Sequence, residues 1–486
     1  MKFRNRISAL LPLPFIGILL AIILIKAISL PITHDEVSAA IYYPTFTVWQ
    51  IMKYPDVWPS NHILNSILIK FSFFLFGVST FTTRLPNIIS FLLYAVIIWS
   101  IARRYFQTSL FLYYAVFVCF LCNPYLLDFF GLARGYGMSN ALMLTSVFFC
   151  MRFAEDNRIV HLWLAWIFAM LAAYANFTLL IFFVSLNGIL VLLLCGDMVS
   201  NIISKSKFIT QFFLLGLFDF LFAALCYGPI HKMQTTNQFV YWSSNGFFKD
   251  TLLDILENCR YGVRYFGIHT IWFAWLIVVL FIIMFELMQF KIFKKGWNAL
   301  HDLFMIAFCL LLLTIIANMV QTTAMEVPNL TARTALSYYP LFITPFLFGL
   351  KELHTRLPKL GKVIAAFLIL LGIYHQSAGL RMNLVREWAF DQNTYDILNY
   401  LDEYRGQHDE KKIDLNTNWL FNPSFKFYIQ TKKLDWLNLT PYHKNTDTVS
   451  NTQFYYIIAD DWGQLQKSYD PVLTFDGGGR LLLLHK

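Results

Sequence analysis

Charged side chains are scarce in this sequence. Asp, Glu, Lys and Arg make up only 14% of its 486 residues, against about 25% in soluble domains. The chain is 57% hydrophobic and 18% aromatic, with a mean hydropathy of +0.54, so much of it must have lipid as solvent. No glycine-rich phosphate loop is present, which speaks against nucleotide chemistry. No internal repeat is found, and the ionisable residues in apolar runs are few: Lys26, Asp219 and Glu286, alone or near run ends. A secondary transporter would show paired repeats, broken helices and ionisable groups at mid-membrane. Of the seven cysteines, Cys119 and Cys122 alone have CxxC spacing, inside an apolar run with no partner pair. Small buried hydrophobes fit better than metal or redox work.

The net charge of +9 does not point to nucleic acid, because the cations sit in short loops between apolar runs. Runs near 10–30, 86–102, 109–123, 132–151, 159–176, 177–195, 208–229, 270–290, 302–320, 335–350 and 363–377 predict an α-helical polytopic membrane protein with about eleven spans. The basic start "MKFRNR" precedes a run too long for a secretory signal, with no small-residue cleavage site after it. It reads as a retained first helix.

The positive-inside rule then orients the chain. With the N-terminus cytoplasmic, the inner loops carry Arg103 and Arg104, Arg152 and Arg158, Lys205 and Lys207, Lys291, Lys294 and Lys295, and Lys351, Arg356, Lys359 and Lys362. The connections 31–85 and 230–269, and everything after about 378, fall outside. Residues 1–377 form the expected membrane domain, with 31–85 as its first outer loop. Residues 378–486 form an expected small α/β domain outside. Its helices are expected in "DQNTYDILNYLDEYRG" and "NPSFKFYIQTKK", its strands in "KIDLNTN" and "FYYIIADD", and a closing hairpin in "PVLTFDGGGRLLLLHK". It either docks an acceptor or covers the active site. Asp460 and Asp461 read as a turn.

The outer face concentrates chemistry. "PITHDEV" puts Asp35 and Glu36 at the lip of the first apolar run. Residues 62–77 read as an amphipathic helix lying in the interface, with His62 and Lys70 near headgroups. Arg84, Arg134 (with Tyr136 beside it) and Arg333 each bring a guanidinium to one membrane face on a separate turn. Guanidinium matches phosphate oxygens bidentately. Lys232 is a weaker case of the same kind.

These residues, in order, resemble a known family. Asp35-Glu36, then His62, then Gly77 with Arg84-Leu85-Pro86, then Ala133-Arg134 with Tyr136 follow the pattern Asp-Glu, His-Pro-Pro-Leu, Phe-Gly-x6-Arg-Leu-Pro and Ala-Arg-x-Tyr. That pattern belongs to the GT-C membrane glycosyltransferases, in the group of protein O-mannosyltransferases and aminoarabinose transferases (glycosyltransferase family 39). Ile63 and Leu64 replace the two prolines. The resemblance covers the first third of the chain by motif and the rest by topology.

It implies transfer of a sugar from a polyprenyl phosphate to an envelope lipid, glycan or protein at the outer face, in the bacterial inner membrane. Asp35 would act as general base. Glu36 would hold His62, a metal ion or a sugar hydroxyl. Arg84, Arg134 and Arg333 would bind the donor phosphate, and His62 and Tyr136 the substrate. A divalent metal near Asp35 stays open, and no other cofactor is implied. A lipid-linked-oligosaccharide polymerase or ligase and a multi-span transporter are the alternatives.

Overall fold

The computed structural model describes residues 12–56, 60–238, 246–265, 267–447 and 451–486; the basic stretch 1–6 lies outside them. Among the described residues, seven helices are long and apolar enough to cross a membrane. They are Pro12–Ser29, Thr80–Tyr105, Phe177–Val199, Lys205–Thr235, Thr270–His301, Leu303–Met325 and Pro358–Gly379. Leu110–Leu121 and Pro124–Phe130 form a pair bent by 64°, an eighth span if taken together. The bend has a local cause. Asn123 leaves the helix, accepts Leu126 N–H on its side chain, and is followed by Pro124 at the start of the next helix. The remaining expected spans are helices too, Gly135–Asp156, Ile159–Ala175 and Tyr338–Arg356, but fall short in length or apolarity. The chain is a multi-pass integral membrane protein.

Two compact units divide the chain. The larger contains the first helix up to Ile23, Thr47–Leu68 and Pro86–Leu380. Within it, helix Gly135–Asp156 is almost wholly buried. The neighbouring helix Ile159–Ala175 meets it with Ala165, Ala169 and Ala172, all fully buried at four- and three-residue spacing, so the backbones approach closely. Ser146 Oγ donates to the Ala165 carbonyl at 2.7 Å. Lys205–Thr235 and Thr270–His301 are the opposite case. Their apolar windows are 11% and 17% buried, and Phe212, Phe213, Phe220 and Leu221 point outward, as lipid-facing bulk does.

The smaller unit joins Leu24–Phe46, Ile69–Leu85 and Arg381–Lys486. Its sheet has the order β2-β1-β3-β5-β4, with β1 Ile413–Thr417, β2 Leu437–Leu439, β3 Phe454–Ile458, β4 Tyr469–Phe475 and β5 Arg480–His485. β1 pairs in parallel with β2 and with β3, Leu415 opposite both Leu439 and Phe454. Helix Asn422–Lys432 makes the crossover that a parallel β1–β2 pair requires. β4 and β5 close an antiparallel hairpin, with Asp476, Gly477 and Gly478 at φ 49°, 64° and 105°. Only glycine takes such angles without cost, which explains the Gly run. Helices Thr394–Gln407 and Asn422–Lys432, with Phe421 just before the second, bury Ile397, Leu401, Phe421 and Phe425 against Leu415, Phe454 and Leu482. Ile32, Val37 and Ala40, from the stretch that carries the acidic pair, belong to that same core. The expected helices, strands and hairpin of the tail are all present; the short β2 is an addition.

Candidate functional site

The acidic pair sits on the first turn, His34–Val37, of a helical stretch that continues through Ser38–Tyr42 and Tyr43–Thr45 and is entered through extended Thr33 (φ −89°, ψ 156°). Glu36 Oε2 reaches back to accept Thr33 N–H at 2.9 Å, the reciprocal contact of a capping box. The rest of Glu36 belongs to Arg84. Nε donates to Oε1 at 2.9 Å and Nη2 to Oε2 at 2.7 Å. Arg84 also donates from Nη1 to the carbonyls of Ala27 (3.1 Å) and Leu30 (3.0 Å), and from Nη2 to that of Pro31 (2.7 Å). A guanidinium has five N–H groups, and these five bonds use them all. Arg84 is 1% exposed and Glu36 0%.

The position of Arg84 therefore differs from the expected phosphate contact. Its guanidinium collars the carbonyl end of the first helix and fixes Glu36, with no N–H left for a phosphate. Glu36 likewise answers to Arg84 and Thr33. Asp35 lies between clamped neighbours and is itself half-buried.

The other neighbours of Asp35 are held by residues of the tail. Ile32 N–H donates to Tyr428 Oη at 2.7 Å, and His34 N–H to Asp391 Oδ2 at 2.7 Å. The His34 ring meets the Leu420 carbonyl through Nδ1 at 2.8 Å, so Nδ1 carries the proton, because a carbonyl only accepts. The ring edges onto Trp419 at 5.7 Å. Asp391 Oδ1 accepts Ser424 Oγ at 2.8 Å. Burial pushes the Asp391 carboxyl well above the usual carboxylate range. The hydrogen bonds from His34 and Ser424 oppose this, and the charges of Asp35 and Glu36 add to it.

In the larger unit the structure brings His62, Arg134 and Tyr136 together. His62 Nδ1 donates to the Ala175 carbonyl at 3.1 Å, and its ring stands edge-on to Tyr136 with centroids 4.9 Å apart. Arg134 Nη1 donates to the Ser60 carbonyl at 3.3 Å, and the side chain is 3% exposed. Two asparagines hold this loop. Asn65 Nδ2 donates to the Ala133 carbonyl at 3.0 Å and Asn87 Nδ2 to Asn65 Oδ1 at 2.7 Å, while Met138 N–H reaches Asn87 Oδ1 at 3.2 Å. A Cβ on Gly135 would lie 2.2 Å from the Ala175 carbonyl oxygen and 2.9 Å from His62 Cβ. One on Gly137 would lie 2.5 Å from the Phe129 carbonyl oxygen. Glycine at 135 is what lets "ARGYG" pack against His62 and Ala175, and glycine at 137 is what lets it pack against Phe129.

Arg333 lies on the turn Ala332–Ala335, where Ala332 N–H bonds Asp254. Lys232 is engaged by the carbonyls of Tyr54 (2.9 Å) and Pro55 (3.1 Å). Among the described residues no group of three His, Cys, Asp or Glu is placed to hold a metal ion. Sequence reasoning passed over Asn87, Gly135, Gly137, Asp391 and Asp128, a buried acid bonded by Tyr261. A lone Asp in the apolar "YLLDFFG" just before "LARGYG" was a signal for the last of these. Nothing local marked Asp391.

No family model matches the chain, and no curated protein does. Among solved structures, the crystal structure of ArnT from Cupriavidus metallidurans in the apo state is similar at 13% identity and a TM-score of 0.45. The structure of the same protein bound to undecaprenyl phosphate is similar at 13% identity and 0.44. In both, the likeness covers 97% of each chain.

Proposed function

We propose that the protein is a membrane glycosyltransferase of the GT-C type. It moves a sugar from a polyprenyl-phosphate donor to an envelope acceptor at the outer face. Asp35 takes the proton from the acceptor hydroxyl or amide. The freed lone pair attacks the anomeric carbon as the bond to the phosphate oxygen breaks. Polyprenyl phosphate leaves with that bond's electrons, so a single displacement inverts the anomeric centre. Fixed donors in a dry site stabilise the leaving charge, and Arg134 and Arg333 are the guanidiniums assigned to it. His62 and Tyr136 line the substrate. Glu36 and Arg84 are positioning residues for the turn that bears the base.

One observation carries the assignment of the base. Of two adjacent acids, Glu36 is fully buried in an ion pair with Arg84, while Asp35, half-buried on the same turn, lies outside that pair. The pair costs desolvation and returns geometry rather than stability, which suits a turn whose next residue does chemistry. The motif order along the first third of the chain supports the substrate class.

The test is lipid and glycan analysis of cell envelopes carrying Asp35→Asn. Loss of one envelope sugar at normal protein level is expected, and an unchanged envelope refutes the reading. Single-sugar transfer from a polyprenyl-phosphate hexose in vesicles separates this activity from a ligase, which joins whole glycans, and from a transporter.

A further inference from the structure

We infer that Asp391, in the C-terminal stretch, is the positioning residue that fixes the turn carrying Asp35. The inference rests on the reading of Asp35 as base and deepens it, because it makes the tail part of the catalytic apparatus rather than a cover or a docking module. The backbone N–H of His34, next to Asp35, ends on Asp391 Oδ2 at 2.7 Å. The other carboxyl oxygen is fixed by Ser424 Oγ at 2.8 Å. Asp391 is 2% exposed and Ser424 0%, so neither bond competes with water.

The turn opens a helical stretch that continues through Ser38–Tyr42 and Tyr43–Thr45, still within the length at which isolated helices are marginal, and the N–H groups of its first turn have no partner inside the helix. Its geometry must come from outside. Arg84 supplies one anchor at Glu36, Tyr428 a second at Ile32, and Asp391 the one on the residue adjoining the base. The charged groups around Asp391 are Asp35 and Glu36 on the turn and Arg480 on β5, whose Nη1 donates to the carbonyls of Ala389 and Phe390. A buried carboxyl beside two other acids favours its protonated form. Asn is a close mimic of that form. Its Oδ1 can accept from His34 N–H and its Nδ2 can donate to Ser424 Oγ.

Full-length protein in nanodiscs tests this with Asp391→Ala, Asp391→Asn and Ser424→Ala. In Asp391→Ala, amide exchange over residues 32–37 should rise about tenfold or more, while β1 and β3 keep their protection. In cells carrying Asp391→Ala, the envelope product should fall about a hundredfold, the loss expected of a displaced catalytic group. Binding of undecaprenyl phosphate, used as the probe, should stay within about twofold, which separates a displaced base from a collapsed fold. Asp391→Asn should restore both exchange protection and product.

Unchanged exchange and product in Asp391→Ala overturn the inference, and so does an Asp391→Asn protein as impaired as Asp391→Ala. Should Asp391→Ala not fold, Ser424→Ala decides. It removes one support of the carboxyl, so faster exchange at 32–37 with folded strands supports the inference, and no change overturns it. If Asp35→Asn leaves the envelope intact, the glycosyltransferase reading falls, while the exchange comparison still reports whether Asp391 holds the turn.

Discussion

At the scale of single residues, Arg84 shows how a sequence pattern fixes a position without fixing its job. An Arg at the mouth of a span suits phosphate, and the motif order gave it that part. The structure spends all five of its N–H groups on Glu36 and on Ala27, Leu30 and Pro31. Breaking a buried pair leaves one charge without a partner, which costs about 3–5 kcal/mol. Arg84→Ala should therefore lower the thermal unfolding temperature of the detergent-solubilised protein, and Arg84→Lys should not rescue it, since an ammonium lacks the fork. Replacing Glu36 and Arg84 together by Leu and Met should be milder than Arg84→Ala alone. An additive double variant would show that the pair is not coupled. The acidic pair was visible as a pair, but the burial of Glu36 against Arg84 was not. Burial separates Glu36 from Asp35, and burial is decided by residues nearly fifty positions away.

At the scale of elements, apolar run length located the long helices described in the larger unit but not short ones such as Val48–Met52, Pro124–Phe130 and Asp254–Arg260, because lipid imposes one simple demand on composition. Bends and close approaches were harder to see. The expected span 109–123 stops at Leu121 and the chain turns by 64° at Asn123-Pro124. In "ARGYG" the Arg and Tyr drew attention while the glycines set the geometry. A methyl group at Gly135 would collide with the Ala175 carbonyl oxygen at 2.2 Å, and backbone cannot swing aside as a side chain can. Gly135→Ala should cost about 1–3 kcal/mol and cut activity by displacing His62 and Arg134. Wild-type stability and turnover in that variant would mean that the helix start shifts without consequence. Asn65 and Asn87 were illegible for a related reason, because their value lies in bonding to each other and to a distant loop.

At the scale of the whole molecule, the chain order conceals the grouping that matters. The tail's own strands and helices could be read from alternation and turn residues. That Ile32, Val37 and Ala40 would complete its core could not, since those contacts join residues more than 350 positions apart. Asp391 makes this grouping sensitive to pH. Its folded-state pKa is raised, so the folded protein keeps a proton that the unfolded chain has lost once pH exceeds about 4. Stability from this group accordingly falls as pH climbs from the ordinary carboxylate range towards the raised value. Thermal melts at pH 5 and pH 8 should show the decline, and Asp391→Asn should flatten it. An unaltered slope in Asp391→Asn would assign the pH dependence to other groups.

The arginine collar on the first helix has one more consequence. Helices in bilayers of different thickness tilt or stretch to match their host, and a carboxylate whose height was set by interfacial anchors would rise and sink with the lipid. Here the yardstick is internal. Glu36 is referenced through Arg84 to three backbone oxygens of the protein itself, so its turn keeps its place relative to the end of the first helix whatever the length of the surrounding acyl chains.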